Sequence, residues 1–104
     1  MKYILTLAFA LLSTSAIAAG DAAAGKAKAA TCAACHGANG VAIAPIYPNL
    51  AGQKAAYMVA QLKAFKSGER KGANSALMAP MAMPLSDQDM EDISAYFAAM
   101  DAAK

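Results

Sequence analysis

Cys32-Ala33-Ala34-Cys35-His36 is the stretch on which the reading of this chain turns. Its C-x-x-C-H spacing is the pattern for covalent attachment of a c-type haem. Each thiol can add across one vinyl group of a porphyrin, giving two thioethers along one edge of the ring. The imidazole that follows reaches a central iron from the same side. Three residues thus take three jobs: Cys32 and Cys35 as covalent anchors, His36 as the proximal iron ligand.

Competing uses of the same residues fare worse. A closed structural zinc site needs four protein ligands, and only Cys32, Cys35 and His36 are on offer, crowded into five residues. A disulfide between Cys32 and Cys35 would close a tiny loop and restrain little of the unfolded chain. A thioredoxin-like dithiol belongs at a strand-to-helix junction in a βαβ unit, and no segment here reads convincingly as a strand. His36 is the only histidine in the chain, and it stands at the one position the haem motif requires.

Outward toward the N-terminus, Lys2, the apolar run Tyr3 to Leu12 and Ala16-Ile17-Ala18 form the three parts of an export signal with an A-x-A cleavage site. The run is about half of the roughly 20 residues needed to cross a bilayer. Cleavage after Ala18, export to a bacterial periplasm and no anchor in the mature protein are the expectation. Residues 1–18 are then a signal peptide and residues 19–104 one domain. Removing 18 of 104 residues leaves 86 and lowers the net charge from +2 to +1, because Lys2 is lost. Such a domain sits near the lower limit for a self-sufficient core. A large apolar cofactor at its centre would remedy that.

Helices are expected over three segments. The Ala-rich run from about Asp21 to Ala34 starts at Asp21 as N-cap. Gly25 interrupts it, which suits a close crossing by another helix. Gln53 to Ser67 carries Met58, Leu62 and Phe65 on one face and ends at Gly68. The last helix opens on Ser86 as N-cap with Asp89 three residues on, Leu85 and Met90 at the staple positions, and Met90, Ile93, Phe97 and Met100 as its buried stripe. Between them, residues 37–52 and 69–84 read as irregular loops, punctuated by Gly37, Gly40, Pro45, Pro48 and Gly52, and by Gly72, Pro80 and Pro84.

The second loop offers a sixth iron ligand. Thioether ligation raises the reduction potential and suits electron transfer. Met78, Met81 and Met83 are the candidates; Met58, Met90 and Met100 read as core filler.

At this point the chain resembles a known family, the small bacterial class I cytochromes c, and especially single-haem periplasmic members and the repeated halves of dihaem relatives. The matching pieces are Gly25, Cys32-Ala33-Ala34-Cys35-His36-Gly37, Pro48-Asn49-Leu50-Ala51-Gly52-Gln53, Gln61-Leu62 with Phe65 and Gly68, and Leu85-Ser86-Asp87-Gln88-Asp89 running into Ala95-Tyr96-Phe97. The resemblance implies an all-α class I cytochrome c fold, three main helices and two long loops wrapped around one covalently bound haem c. It implies that Gly25 packs against Tyr96 or Phe97. It places the distal ligand at Met78, with Met81 as runner-up and Met83 third. It also implies a first-loop carbonyl, that of Pro45, holding the proximal imidazole.

Charge is uneven along the chain. Lys54, Lys63, Lys66, Arg70 and Lys71 face only Glu69 between residues 54 and 71, whereas residues 87–101 carry five acids and no base. Solvated helix faces account for this pattern, and so does a charge dipole that orients docking. Near-neutral total charge argues against nucleic-acid binding. The reading is a soluble, monomeric periplasmic electron carrier, not an enzyme. Its partners would be redox proteins: a membrane cytochrome complex, a terminal oxidase or reductase, or a periplasmic dehydrogenase. The alternative is a periplasmic Cu(I)-binding protein using the soft thioethers of the Met78–Met83 loop.

Overall fold

The computed structural model describes residues 2–8, 10–11 and 18–103. Ala16 and Ile17 of the expected cleavage signature, and Leu12 of the apolar run, lie outside the described residues. Among the described residues all regular structure is helical: α1 (Ala22–Lys28), α2 (Ala30–His36), α3 (Ala55–Ser67), α4 (Ser75–Ala82) and α5 (Asp87–Ala98). No described helix is long and apolar enough to cross a membrane.

The single helix expected over residues 21–34 is a rod bent at Ala29, where ψ relaxes to 0°. Its hydrogen bonds run through the bend, Ala29 N–H donating to Gly25 O at 2.8 Å and Ala33 N–H to Ala29 O at 2.9 Å. Asp21 caps the rod, accepting from the N–H groups of Ala23 and Ala24 at 2.8 and 3.1 Å. Neither Gly nor Pro marks the bend in the sequence.

α1 and α5 cross at backbone distance. A Cβ on Gly25 would lie 1.9 Å from the Asp92 carbonyl oxygen and 2.9 Å from Tyr96 Cβ, so no larger residue fits. The expected neighbour Tyr96 is there, with the backbone of Asp92 closer still. A charged network clasps the same crossing. The Asp92 carboxylate, 4% exposed, accepts from Lys28 Nζ at 2.7 Å, Asp21 N–H at 2.9 Å and Gln88 Nε2 at 3.0 Å. Lys28 also pairs with Asp89 at 2.9 Å. The Lys28 ammonium, aided by the Asp21 N–H and Gln88, pulls the Asp92 carboxyl down to about 2, and the two carboxylates in turn raise Lys28.

α5 starts as its sequence dictates. Ser86 Oγ accepts from Asp89 N–H and the Asp89 carboxylate accepts from Ser86 N–H, both at 3.0 Å. Met90, Ile93 and Phe97 are buried, and the core gathers Ala29, Met58, Ile93 and Phe97 from the α1–α2 rod, α3 and α5, with Leu50, Leu85 and Met100 packed against it. α3 begins at Ala55, two residues after the expected start, and ends at Gly68 in the left-handed conformation (φ 80°).

The second loop differs from expectation. Residues 75–82 form α4, with Pro80 inside it. Pro80 removes the N–H that would bond the Ala76 carbonyl. Ala76 and Pro80 are both exposed, so water can take that carbonyl. The helix closes beyond the proline by Met83 N–H donating to Ala79 O at 3.1 Å.

Candidate haem-binding face

His36 ends α2, and its neighbours explain how it is aimed. Gly37 follows with φ 84°, and a Cβ there would lie 1.9 Å from the Val41 carbonyl oxygen. Only glycine lets the chain reverse tightly beneath the imidazole. Gly40, also at positive φ, offers its carbonyl to Leu50 N–H at 2.8 Å and Ala51 N–H at 3.0 Å. That pair of bonds folds the first loop back on itself, and Asn49 Oδ1 locks it by accepting from Ala42 N–H at 2.7 Å.

The fold-back decides which carbonyl meets the histidine. His36 Nδ1 lies 2.8 Å from the Pro48 carbonyl oxygen. The partner is therefore Pro48, three residues beyond the expected Pro45. Pro45 sits in the turn ahead of it, whose Ala44 carbonyl is taken by Tyr47 N–H at 3.1 Å, and only the segment pinned to Gly40 comes back to the ring. A carbonyl can only accept, so Nδ1 must carry the proton and Nε2 keeps its lone pair. At 6% exposed, the imidazole is buried and its tautomer is set.

Cys32 and Cys35 are half-buried and not joined in a disulfide. Burial pushes the Cys32 thiol up, the reverse of the depressed thiol pKa on which dithiol redox catalysis and thiolate ligation depend. Tyr47 lies beside them. Its hydroxyl is raised by a hydrogen bond with Cys35, and its ring centroid is 6.4 Å from that of His36. Among the described residues, no three His, Cys, Asp or Glu side chains converge for a protein-only metal site.

The surroundings suit a broad apolar ring. Val41, Ile43 and Ile46 are 37%, 69% and 60% exposed. Val41 and Ile43 border a concavity of about 390 Å³ with Pro45, Tyr47 and Asn49. An edge-anchored macrocycle, ligated by the free Nε2 of His36, would give these apolar side chains something to lie against.

α4 sorts the three methionines. Met78 is half-buried, whereas Met81 and Met83 are 36% and 57% exposed. Met78 and Met81 stand three residues apart on a common helix face. Met83 continues the helical dihedrals (φ −54°, ψ −44°) only two residues past Met81, which turns it roughly 200° away around the axis. Three converging thioethers, the feature behind the copper alternative, are not formed by this helix. Asn74, at the head of α4, donates from Nδ2 to the Ile46 carbonyl at 3.3 Å and so ties α4 to the first loop.

Sequence reasoning missed Pro48 as the histidine's partner, Asn49 and Asn74 as loop ties, and Asp92 as a buried clasp. Pro48 and Asn49 carried a signal of importance, standing inside the Pro48–Gln53 piece, but not of the role each plays. The others depend on contacts between segments distant in the chain.

The cytochrome c family model matches residues 22–101. Cytochrome c-554(548) of Halomonas halodenitrificans is 57% identical over 83 residues, covering 80% of this chain and 100% of that protein. Cytochrome c4 of Pseudomonas aeruginosa is 49% identical over 98 residues, 93% of this chain and 47% of that one. The crystal structure of reduced recombinant cytochrome c4 from Pseudomonas stutzeri superposes with a TM-score of 0.71 at 46% identity, covering 82% of this chain and 48% of that chain. The chain thus spans about half the length of its cytochrome c4 relatives. With Cys32, Cys35 and His36 in place for one covalent haem c, and with an all-helical class I fold, the chain belongs to the cytochrome c family, whose work is haem-based electron transfer.

Proposed function

We propose that the protein is a soluble, monomeric periplasmic carrier that passes one electron at a time through a haem c held by His36 on one face and Met78 on the other. The observation that carries this reading is the fixed tautomer of the buried His36, with Nδ1 bound to the Pro48 carbonyl and Nε2 left for iron. The haem supplies an iron that alternates between ferrous and ferric states. Everything else is done by the chain. Cys32 and Cys35 fix one edge of the group, which prevents it from leaving. Pro48 O orients the imidazole and strengthens it as a donor. Met78 is the most enclosed of the three candidate thioethers, and α4 is fastened to the first loop through Asn74. A ligand set held this firmly changes little between oxidation states, which lowers the reorganisation each transfer requires. No substrate bond is made or broken, so the protein is a carrier and not an enzyme.

Residues 1–18 act in this reading as a cleaved export signal, leaving the domain in the periplasm. Its donors and acceptors are redox proteins such as a membrane cytochrome complex, a terminal oxidase or reductase, or a periplasmic dehydrogenase. Protein produced with a haem-maturation system tests the reading. It should show a sharp Soret band, a c-type pyridine haemochrome and a reversible one-electron wave. A colourless protein that titrates with Cu(I) would overturn the assignment in favour of the copper alternative.

A further inference from the structure

The chain just ahead of α1 lies along one face of α5. Gln88, Glu91, Asp92 and Ala95 stand at i, i+3, i+4 and i+7 on that helix, and each meets this segment. The Gln88 side-chain amide takes both backbone groups of Ala18: Oε1 accepts from the Ala18 N–H at 3.0 Å and Nε2 donates to the Ala18 carbonyl at 3.1 Å. An amide carries a donor and an acceptor side by side, so it can match one residue's N–H and C=O together. A third bond fixes its orientation, Nε2 donating to Asp92 Oδ1 at 3.0 Å, since a turned amide would set its oxygen against a carboxylate. Two residues on, a Cβ on Gly20 would lie 2.2 Å from the Glu91 carbonyl oxygen and 2.8 Å from Ala95 Cβ. Asp21 N–H then donates to Asp92 Oδ1 at 2.9 Å.

These ties flank the Ala18–Ala19 bond, the one at which the sequence places cleavage. Resting on the reading of residues 1–18 as a cleaved leader, we infer that folding closes this chain's own processing site. Gln88 and the close approach at Gly20 hold the Ala18–Ala19 bond against α5, so the leader is cut before α1 docks on α5, or only when that hold opens. The step is a hydrolysis. Water breaks the amide, its hydroxyl going to the Ala18 carbonyl carbon and a proton to the Ala19 nitrogen, which leaves a carboxylate on Ala18 and an ammonium on Ala19. A peptidase that pairs with the backbone of an extended substrate cannot do so while Gln88 occupies the Ala18 N–H and carbonyl. Gln88 lies 70 residues beyond Ala18, so the hold forms only once the last helix is in place. Cutting while the chain is still emerging escapes it. After cutting, Gln88 loses both partners on Ala18, whereas the Gly20 contact and the Asp21–Asp92 bond stay within the remaining chain. The clasp therefore acts on the uncut chain alone.

Cell-free synthesis without membranes gives the full chain with residues 1–18 attached, and haem is then joined to the reduced cysteines. This protein is treated with a purified bacterial signal peptidase in detergent micelles, beside a synthetic peptide of residues 1–24 that holds the same bond without α5. Cutting at the Ala18–Ala19 bond is read by mass. Each variant is scored as its chain rate over the rate of its own peptide, which cancels any sequence preference of the enzyme. The wild-type chain should be cut at least about tenfold more slowly than its peptide, because proteolysis tracks the open population. Gln88→Ala removes the amide, and Gly20→Ala drives a Cβ into the Glu91 carbonyl and lifts the segment. Each should recover most of that difference. Gly20→Ala leaves Gln88, Asp92 and the core in place, so it covers a Gln88 variant that folds poorly. Equal rates for the wild-type chain and its peptide would overturn the closed site. Slow cutting retained in both variants would assign the protection to the fold at large and overturn the roles of Gln88 and Gly20. Hydrogen exchange at the Ala18 amide of the uncut chain needs no peptidase. Slowed exchange there, lost in Gln88→Ala, together with a peptide that the enzyme leaves intact, would overturn the leader reading and leave the hold on Ala18 standing.

Discussion

Two regions of this molecule bring segments together by opposite means. Where α1 meets α5, bulk is removed and charge fills in: Gly25 admits the α5 backbone, and Lys28, Asp89, Asp92 and Gln88 close the crossing with hydrogen bonds. Around His36, by contrast, backbone-to-backbone bonds from Gly40 hold the loop while Val41, Ile43 and Ile46 stay open. The first region is complete as a protein interface. The second leaves apolar surface that the haem c of this family would cover. The lesson is that the helix crossing is closed by the chain's own groups, whereas the site face is left for a cofactor to finish.

The largest effect expected from breaking that division is at Gly25. Gly25→Val would drive a side chain into the Asp92 carbonyl and should cost about 3 kcal/mol or more, seen as loss of cooperative thermal unfolding. If the crossing is as close as it stands, retention of the wild-type melting curve is excluded.

Asp92→Asn comes next and carries a pH signature. The Asp92 carboxyl titrates at about 2, below its ordinary value of 3.8. A depressed carboxyl stabilises the fold above its unfolded pKa, and that contribution fades as pH falls through the folded value. The Tm difference between wild type and variant should therefore be full at pH 7, roughly 5–10 °C, and shrink between pH 4 and pH 2. A difference independent of pH would place the effect in packing alone.

On the other side of the comparison, Asn49→Ala removes the acceptor for the Ala42 N–H and loosens the fold-back that delivers the Pro48 carbonyl. A loss of about 1 kcal/mol is expected in denaturant unfolding. An unchanged unfolding curve would show the tie to be dispensable. The smallest effect should be at Ser94. Its hydroxyl is the one buried side-chain oxygen or nitrogen without a hydrogen-bond partner among the described residues, so Ser94→Ala should be neutral or stabilising, by up to about 1 kcal/mol, in denaturant unfolding.

Local chemistry was legible in the chain, and cross-chain geometry much less so. Asp21, Ser86 with Asp89, and Gly68 do what their types and spacing require, because a cap acts within three or four residues. The C-x-x-C-H motif is equally local. Pro48 was not legible as the histidine's partner, because the carbonyl that reaches Nδ1 depends on the two bonds the Gly40 carbonyl makes further along. α4 was hidden by Pro80, since the rule that proline breaks helices does not register that the orphaned carbonyl faces water. Asp92 read as one of five acids on a solvated helix face. Its burial follows from where Lys28 and the Asp21 N–H arrive, which depends on the α1–α5 approach. Gly25 fell between these cases: the glycine signalled a crossing, and the fold supplied what it crosses.

The central claim is that the site face is completed by iron held between His36 and Met78. The most direct test is the visible spectrum of ferric holoprotein for Met78→Ala beside Met81→Ala. The account predicts that Met78→Ala abolishes the methionine-to-iron charge-transfer band and shifts the potential strongly, while Met81→Ala keeps the band. Retention of the band in Met78→Ala, with its loss in Met81→Ala, would contradict the assignment and move the distal ligand one turn along α4.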